Sequence, residues 1–146
     1  MVDDFEGWRH FVSYTLKNTP RFQIVGEVSD GLEAVQKAQE LQPDLIVLDI
    51  GLPKLNGIEA ARLIRQVAPK SKILFLTENH SPDIAAESLS TGASGYVVKA
   101  NAGMELLVAV EAVIRDKRFV SARLACDDLG DTTDAKKSVR PAMNAD

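Results

Sequence analysis

Asp44-Leu45-Ile46-Val47-Leu48-Asp49-Ile50-Gly51-Leu52-Pro53-Lys54-Leu55-Asn56-Gly57 is the stretch on which the fold turns. It opens as an unbroken apolar run, Leu45 to Leu48. A short run without alternation suits a strand covered on both faces, as in a parallel sheet. The run ends on a carboxylate, Asp49. Gly51, Pro53 and Asn56-Gly57 then supply turn residues, and a helical pattern starts at Ile58. In open α/β sheets, ligands bind outside the carboxyl ends of the strands. Asp49 therefore stands where a reactive carboxylate is useful.

On the N-terminal side, Met1-Val2 is a very short apolar start before the acid pair Asp3-Asp4. Glu6 to Lys17 predicts a helix with Trp8, Phe11, Val12 and Leu16 on one face. Asn18-Thr19-Pro20 stops it. Phe22 to Val28 predicts a strand, and Leu32 to Leu41 a helix after the Asp30-Gly31 turn. On the C-terminal side, Ile58 to Val67 is helical and Lys72 to Thr77 is a buried strand. Ser81-Pro82 caps a helix over Asp83 to Ser90. Gly95 to Val98 is a short strand running into Lys99, and Ala102 to Phe119 is the last helix. Strands alternating with helical crossovers predict a doubly wound parallel sheet. Five strands fit the order 2-1-3-4-5, with an abbreviated first strand. Past Val120 the chain is polar and aperiodic. The expected organisation is one domain over 1–119 and a flexible tail over 120–146 with no output domain.

The 146 residues are 45% hydrophobic and 26% charged, which suits one globular domain. The net charge of -4 disfavours direct binding to nucleic acid. Cys126 is the only cysteine, so no intrachain disulfide forms, and no Cys/His cluster offers a zinc site. The N-terminus does not read as a signal peptide, and no apolar stretch could span a bilayer. These features predict a cytoplasmic protein without membrane contact.

The predicted strand ends gather five polar side chains at one sheet edge: Asp3, Asp4, Asp49, Thr77 and Lys99. Carboxylates crowded together repel unless a cation sits among them, and a few hard oxygen ligands suit Mg²⁺. A carboxylate can itself be a nucleophile, forming an aspartyl phosphate. Such a transfer needs positive charge and donors around the phosphoryl oxygens. Lys99, the Thr77 hydroxyl and Mg²⁺ would supply them.

The acid pair, the block Leu48 to Gly57, Thr77 and Gly95-Tyr96-Val97-Val98-Lys99 together resemble the receiver domain of two-component response regulators. The resemblance runs over roughly residues 2 to 118 and implies a flavodoxin-like fold, an instance of the strand order above. It implies that Asp49 accepts a phosphoryl group from a sensor histidine kinase. Asp3, Asp4, Asp49 and the backbone carbonyl of Gly51 would hold Mg²⁺. Lys99 would pair with the phosphoryl group. Thr77 and Tyr96 would form the switch, turning inward on phosphorylation. In that family the last helix is a common dimerisation face. Here Leu106 to Val110 and Ala112 to Ile114 are apolar nearly all round, which suits a homodimer or another protein partner.

Three positions depart from the family pattern. The first strand is reduced to Met1-Val2, which would leave neighbouring backbone groups unpaired at about 1–3 kcal/mol for each buried one. Glu78 puts a long acid beside Thr77. Ala100 stands where many receivers have a cis-proline, and a trans bond is expected for alanine. The first two motivate an alternative, a degenerate receiver that binds a protein partner without phosphate. An Asp-nucleophile phosphatase of the haloacid dehalogenase type is disfavoured, because its second acid would fall on Gly51. Arg118-Phe119-Val120-Ser121 resembles the end of receivers that precede a DNA-binding domain. His10 and His80 read as surface residues, and Trp8 as core.

Overall fold

The computed structural model describes residues 1–125. The predicted helices form, the first four with small shifts at their ends and the last shorter than expected: α1 Glu6–Lys17, α2 Gly31–Leu41, α3 Gly57–Val67, α4 Pro82–Leu89 and α5 Ala102–Ile114. Their starts follow from capping chemistry. Asp30 accepts from the Glu33 N–H at 2.8 Å, and Asn56 from the N–H groups of Ile58 and Glu59 at 2.9 and 3.0 Å. Ser81 caps α4 with proline in the first turn, as the sequence predicts.

The sheet corrects the expectation of five strands. Four parallel strands form among the described residues: β1 Leu45–Leu48, β2 Lys72–Thr77, β3 Gly95–Val98 and β4 Phe119–Val120, in that spatial order. The expected first and second strands shrink to single bridges, Val2 to Leu48 and Val2 to Val28, both parallel. The relative order of segments therefore survives, with Val2 between Val28 and β1. The ladder does not. A strand exists only where a neighbour offers successive backbone partners, and only Met1 to Asp3 lie beside Val28 and β1. The stretch Phe22–Glu27 is thus extended chain without a ladder, and a cleft of about 590 Å³ separates it from β1 and α5, lined in part by Phe22, Ile24, Leu45, Val110 and Ile114.

The fourth strand comes from where the last helix was expected to continue. α5 ends at Ile114, and Asp116 takes a left-handed turn at φ 64°. Phe119 then donates to the Ser94 carbonyl, and Ser121 to that of Tyr96, at 3.1 and 2.8 Å. A short helix, α6 Ala122–Ala125, follows, with Leu124 fully buried. The packed fold thus continues past the expected boundary at Phe119. The rest of the predicted tail, residues 126–146, lies outside the described residues.

Each strand points alternate side chains to opposite faces. Ile46, Leu48, Ile73, Phe75, Tyr96 and Val98 pack on one side, with α2, α3 and α4. Val47, Leu74, Leu76 and Val97 pack on the other, against α1 and α5. Both faces are covered, which is why the strands are apolar throughout.

Candidate functional site

Parallel register brings the strand ends level: Leu48 pairs with Phe75, and Thr77 with Val98. The residue after each strand end therefore emerges on one edge. Asp49 is 7% exposed, Lys99 8% and Asp3 fully buried, so three charges share a nearly dry pocket. The Lys99 ammonium lies 3.3 Å from Asp49 Oδ2 and 2.8 Å from Asp3 Oδ2. Of the five side chains expected at this edge, Asp3, Asp49 and Lys99 thus meet directly.

The backbone fixes the two acids. The Asp49 N–H donates to the Val2 carbonyl at 3.0 Å, and its Oδ1 accepts from the Ile50 N–H at 2.8 Å. Asp3 Oδ1 accepts from the Phe5 N–H at 2.9 Å, while Arg9 donates to the Asp3 carbonyl at 2.7 Å. Asp3 Oδ2 is left with the Lys99 charge beside it and no aligned hydrogen-bond donor. Burial raises the Asp49 pKa and the nearby Asp3 charge adds to the rise, against the pull of Lys99 and the Ile50 N–H.

Asp4 is exposed at the rim, yet a carboxylate oxygen from each of Asp3, Asp4 and Asp49 falls within 4.8 Å of the others. Three converging carboxylates, one of which carries a buried oxygen without a directed donor, fit a hard divalent cation. Gly51 is exposed on the loop that leaves Asp49. That loop is tied down at its far side: Gly31 donates to the Pro53 carbonyl at 3.2 Å, and Lys54 approaches Asp30 at 3.6 Å.

Thr77 is buried, and its Oγ1 accepts from the Asn79 N–H at a long 3.3 Å. Tyr96 is fully buried, and its hydroxyl donates to the Asn79 carbonyl at 2.8 Å. Burial and, next, the Asp49 charge push the Tyr96 hydroxyl pKa upward, so it remains a donor. The two expected switch residues thus grip one residue, Asn79, from its two backbone groups. The sequence reading missed Asn79, because a backbone contact leaves no side-chain signal. Glu78 and His80 beside it are exposed, as is His10. No cis peptide bond occurs among the described residues, so the bond at Ala100 is trans.

One expectation changes character. Trp8 is only partly buried, and its ring faces the Lys99 ammonium with 4.9 Å from nitrogen to centroid. It belongs to the edge of the site as well as to the core.

Comparison with known proteins agrees with this arrangement. The family model described as the response regulator receiver domain matches residues 1–111. The chain is 33% identical over 124 residues to the transcriptional regulatory protein DegU of Brevibacillus brevis, covering 85% of the chain and 52% of that protein. It is 30% identical over 144 residues to the response regulator GacA of Pseudomonas viridiflava, covering 99% of the chain and 64% of that protein. The chain thus spans about half to two thirds of these curated relatives. The fold matches the crystal structure of a two-component response regulator of the LuxR family from Aurantimonas sp. SI85-9A1, with a TM-score of 0.82, 35% identity, and coverage of 86% of this chain and 89% of that one. It also matches the response regulator domain of Thermotoga maritima CheB, with a TM-score of 0.73, 32% identity, and coverage of 78% and 92%. With the flavodoxin-like parallel fold, the acid cluster and these matches in agreement, the chain belongs to the response regulator receiver domain family.

Proposed function

We propose that Asp49 is the phosphoacceptor of a two-component signalling step, taking a phosphoryl group from the phosphohistidine of a sensor histidine kinase. The observation that carries this reading is the Lys99 ammonium 3.3 Å from the Asp49 carboxylate, inside a cluster of three acids. An Asp49 carboxylate oxygen forms the new bond to phosphorus, and the phosphorus–nitrogen bond to the donor imidazole breaks, leaving an acyl phosphate on Asp49. Burial, with the Asp3 charge beside it, raises the Asp49 pKa above the usual carboxylate value, and the ionised carboxylate is the form that attacks. Asp3, Asp4, Asp49 and the Gly51 carbonyl would hold Mg²⁺, which supplies positive charge to the phosphoryl oxygens when bound. Lys99 meets the same charge from the side of β3.

Thr77 and Tyr96 transmit the event. The Thr77 hydroxyl leaves its long bond to Asn79 for the phosphoryl group, and this frees one of the two grips on that residue. The consequence reaches the α4–β3–α5 face, where Met104 is 87% and Val108 56% exposed one turn apart on α5. That face carries the partner contact, homodimer included. No helix among the described residues is long and apolar enough to cross a membrane. On the strength of the receiver-family match, we read the chain as a cytoplasmic phosphorylation switch and not as an enzyme. Incubation with Mg²⁺ and acetyl phosphate should add one phosphoryl group to the protein and none to Asp49→Ala. Equal labelling of the two refutes the assignment.

A further inference from the structure

We infer that Trp8 is a positioning residue that holds the Lys99 ammonium on Asp3 and Asp49, so that a divalent cation must displace it to bind. The inference rests on the proposed Mg²⁺-dependent reading and adds to it a device that sets cation affinity. Lys99 arrives from the turn after β3 with its side chain only 6% exposed. Three groups surround its nitrogen: Asp3 Oδ2 at 2.8 Å, Asp49 Oδ2 at 3.3 Å and the Trp8 ring at 4.9 Å. The electron-rich face of an indole attracts an ammonium electrostatically, and more strongly where water is excluded. Trp8 is itself fixed, with Phe11 packed edge-on at 5.4 Å one turn along α1.

The same ammonium touches two of the three acids that would receive a divalent cation. An ammonium and a divalent ion that share these oxygens repel each other. Asp3 Oδ1 already accepts from the Phe5 N–H at 2.9 Å, which leaves Oδ2, with no aligned donor, as its less engaged oxygen. A cation that takes Asp3 Oδ2 drives the ammonium off it, away from the ring that steadies it. Trp8 favours the cation-free arrangement, and removing it makes Mg²⁺ bind more tightly.

Trp8 is the only tryptophan in the chain, so its emission reads this event directly. In the wild type, MgCl₂ should change Trp8 fluorescence along a saturable curve. In Lys99→Met, calorimetry should still detect Mg²⁺ binding while the fluorescence change disappears. Trp8→Leu, measured by calorimetry, should bind Mg²⁺ about two- to fivefold more tightly than wild type, and Trp8→Phe should fall between. The phenylalanine variant keeps an aromatic ring in place and guards against a misfolded leucine variant. Equal or weaker Mg²⁺ binding in both variants overturns the role of Trp8 and leaves the phosphoacceptor reading standing. A wild type with no saturable Mg²⁺ response overturns both.

Discussion

Gly57→Ala should disable the site through the backbone alone. Gly57 begins α3, and its N–H donates to the Ile50 carbonyl at 2.7 Å, closing the loop that Asp49 opens. A Cβ on Gly57 would lie 2.0 Å from the Asp49 carbonyl oxygen and 2.7 Å from Ile50 Cα. Ordinary contact lies near 3.5 Å, so the two backbone segments must part by roughly 1.5 Å. Neither atom is the end of a flexible side chain. Asp49 is held by its N–H bond to Val2, and Ile50 by its carbonyl bond to Gly57 itself. Overpacking of this kind costs about 1–3 kcal/mol or more, against a helix-propensity gain for alanine of at most about 1 kcal/mol. A net loss of about 2 kcal/mol should appear in urea denaturation as a lower midpoint with an unchanged slope. Movement of the Asp49 backbone should also slow labelling by acetyl phosphate at least about tenfold, since a misplacement near 1 Å can cost as much as a hundredfold. Gly51→Ala is the control. Nothing lies within 4 Å of its would-be Cβ, so stability should stay within about 0.5 kcal/mol of wild type. A Gly57→Ala protein as stable as Gly51→Ala would refute the reasoning.

The raised Asp49 pKa has a sign in stability. The folded protein keeps a proton that the unfolded chain has released, so this group's contribution declines as pH climbs from about 3.9 through the higher folded value. Asp49→Asn should therefore melt above wild type at pH 7, with the gap closing toward pH 4; a lower melting temperature at pH 7 contradicts it. Tyr96→Phe removes the hydrogen bond from its hydroxyl to the Asn79 carbonyl, and should cost about 1 kcal/mol in a urea titration while speeding amide exchange around Asn79. Glu105 on α5 accepts from Ser121 Oγ at 2.5 Å and from the Ala122 N–H at 3.1 Å. Glu105→Ala should lower stability by about 1 kcal/mol, with loss of exchange protection confined to β4 and α6. The N–H groups of Gln23 to Glu27 have no hydrogen-bond partner among the described residues, so hydrogen exchange there should be far faster than in β1, β2 and β3.

The layered α/β fold and most of the candidate site are legible in the order of residue types along the chain. Apolar runs at Leu45–Leu48 and 73–76 require cover on both faces. The helical periods of α1, α2 and α3 supply that cover, and parallel pairing then places Asp49, Thr77 and Lys99 at one edge. These features are local, because side-chain polarity along the chain encodes which face is buried. Pairing is not local, and it depends on which segments the folded chain brings side by side. Phe22–Val28 has the composition of a strand but lacks a neighbour long enough to ladder with. Phe119–Val120 shows no strand signal in two residues, yet joins the sheet because β3 offers its free edge to the chain leaving α5. The grip of Thr77 and Tyr96 on Asn79, and the Trp8 ring over Lys99, are likewise contacts between elements far apart in sequence. Residue types fix what a side chain can do; the approach of another segment fixes whether it meets anything to do it with.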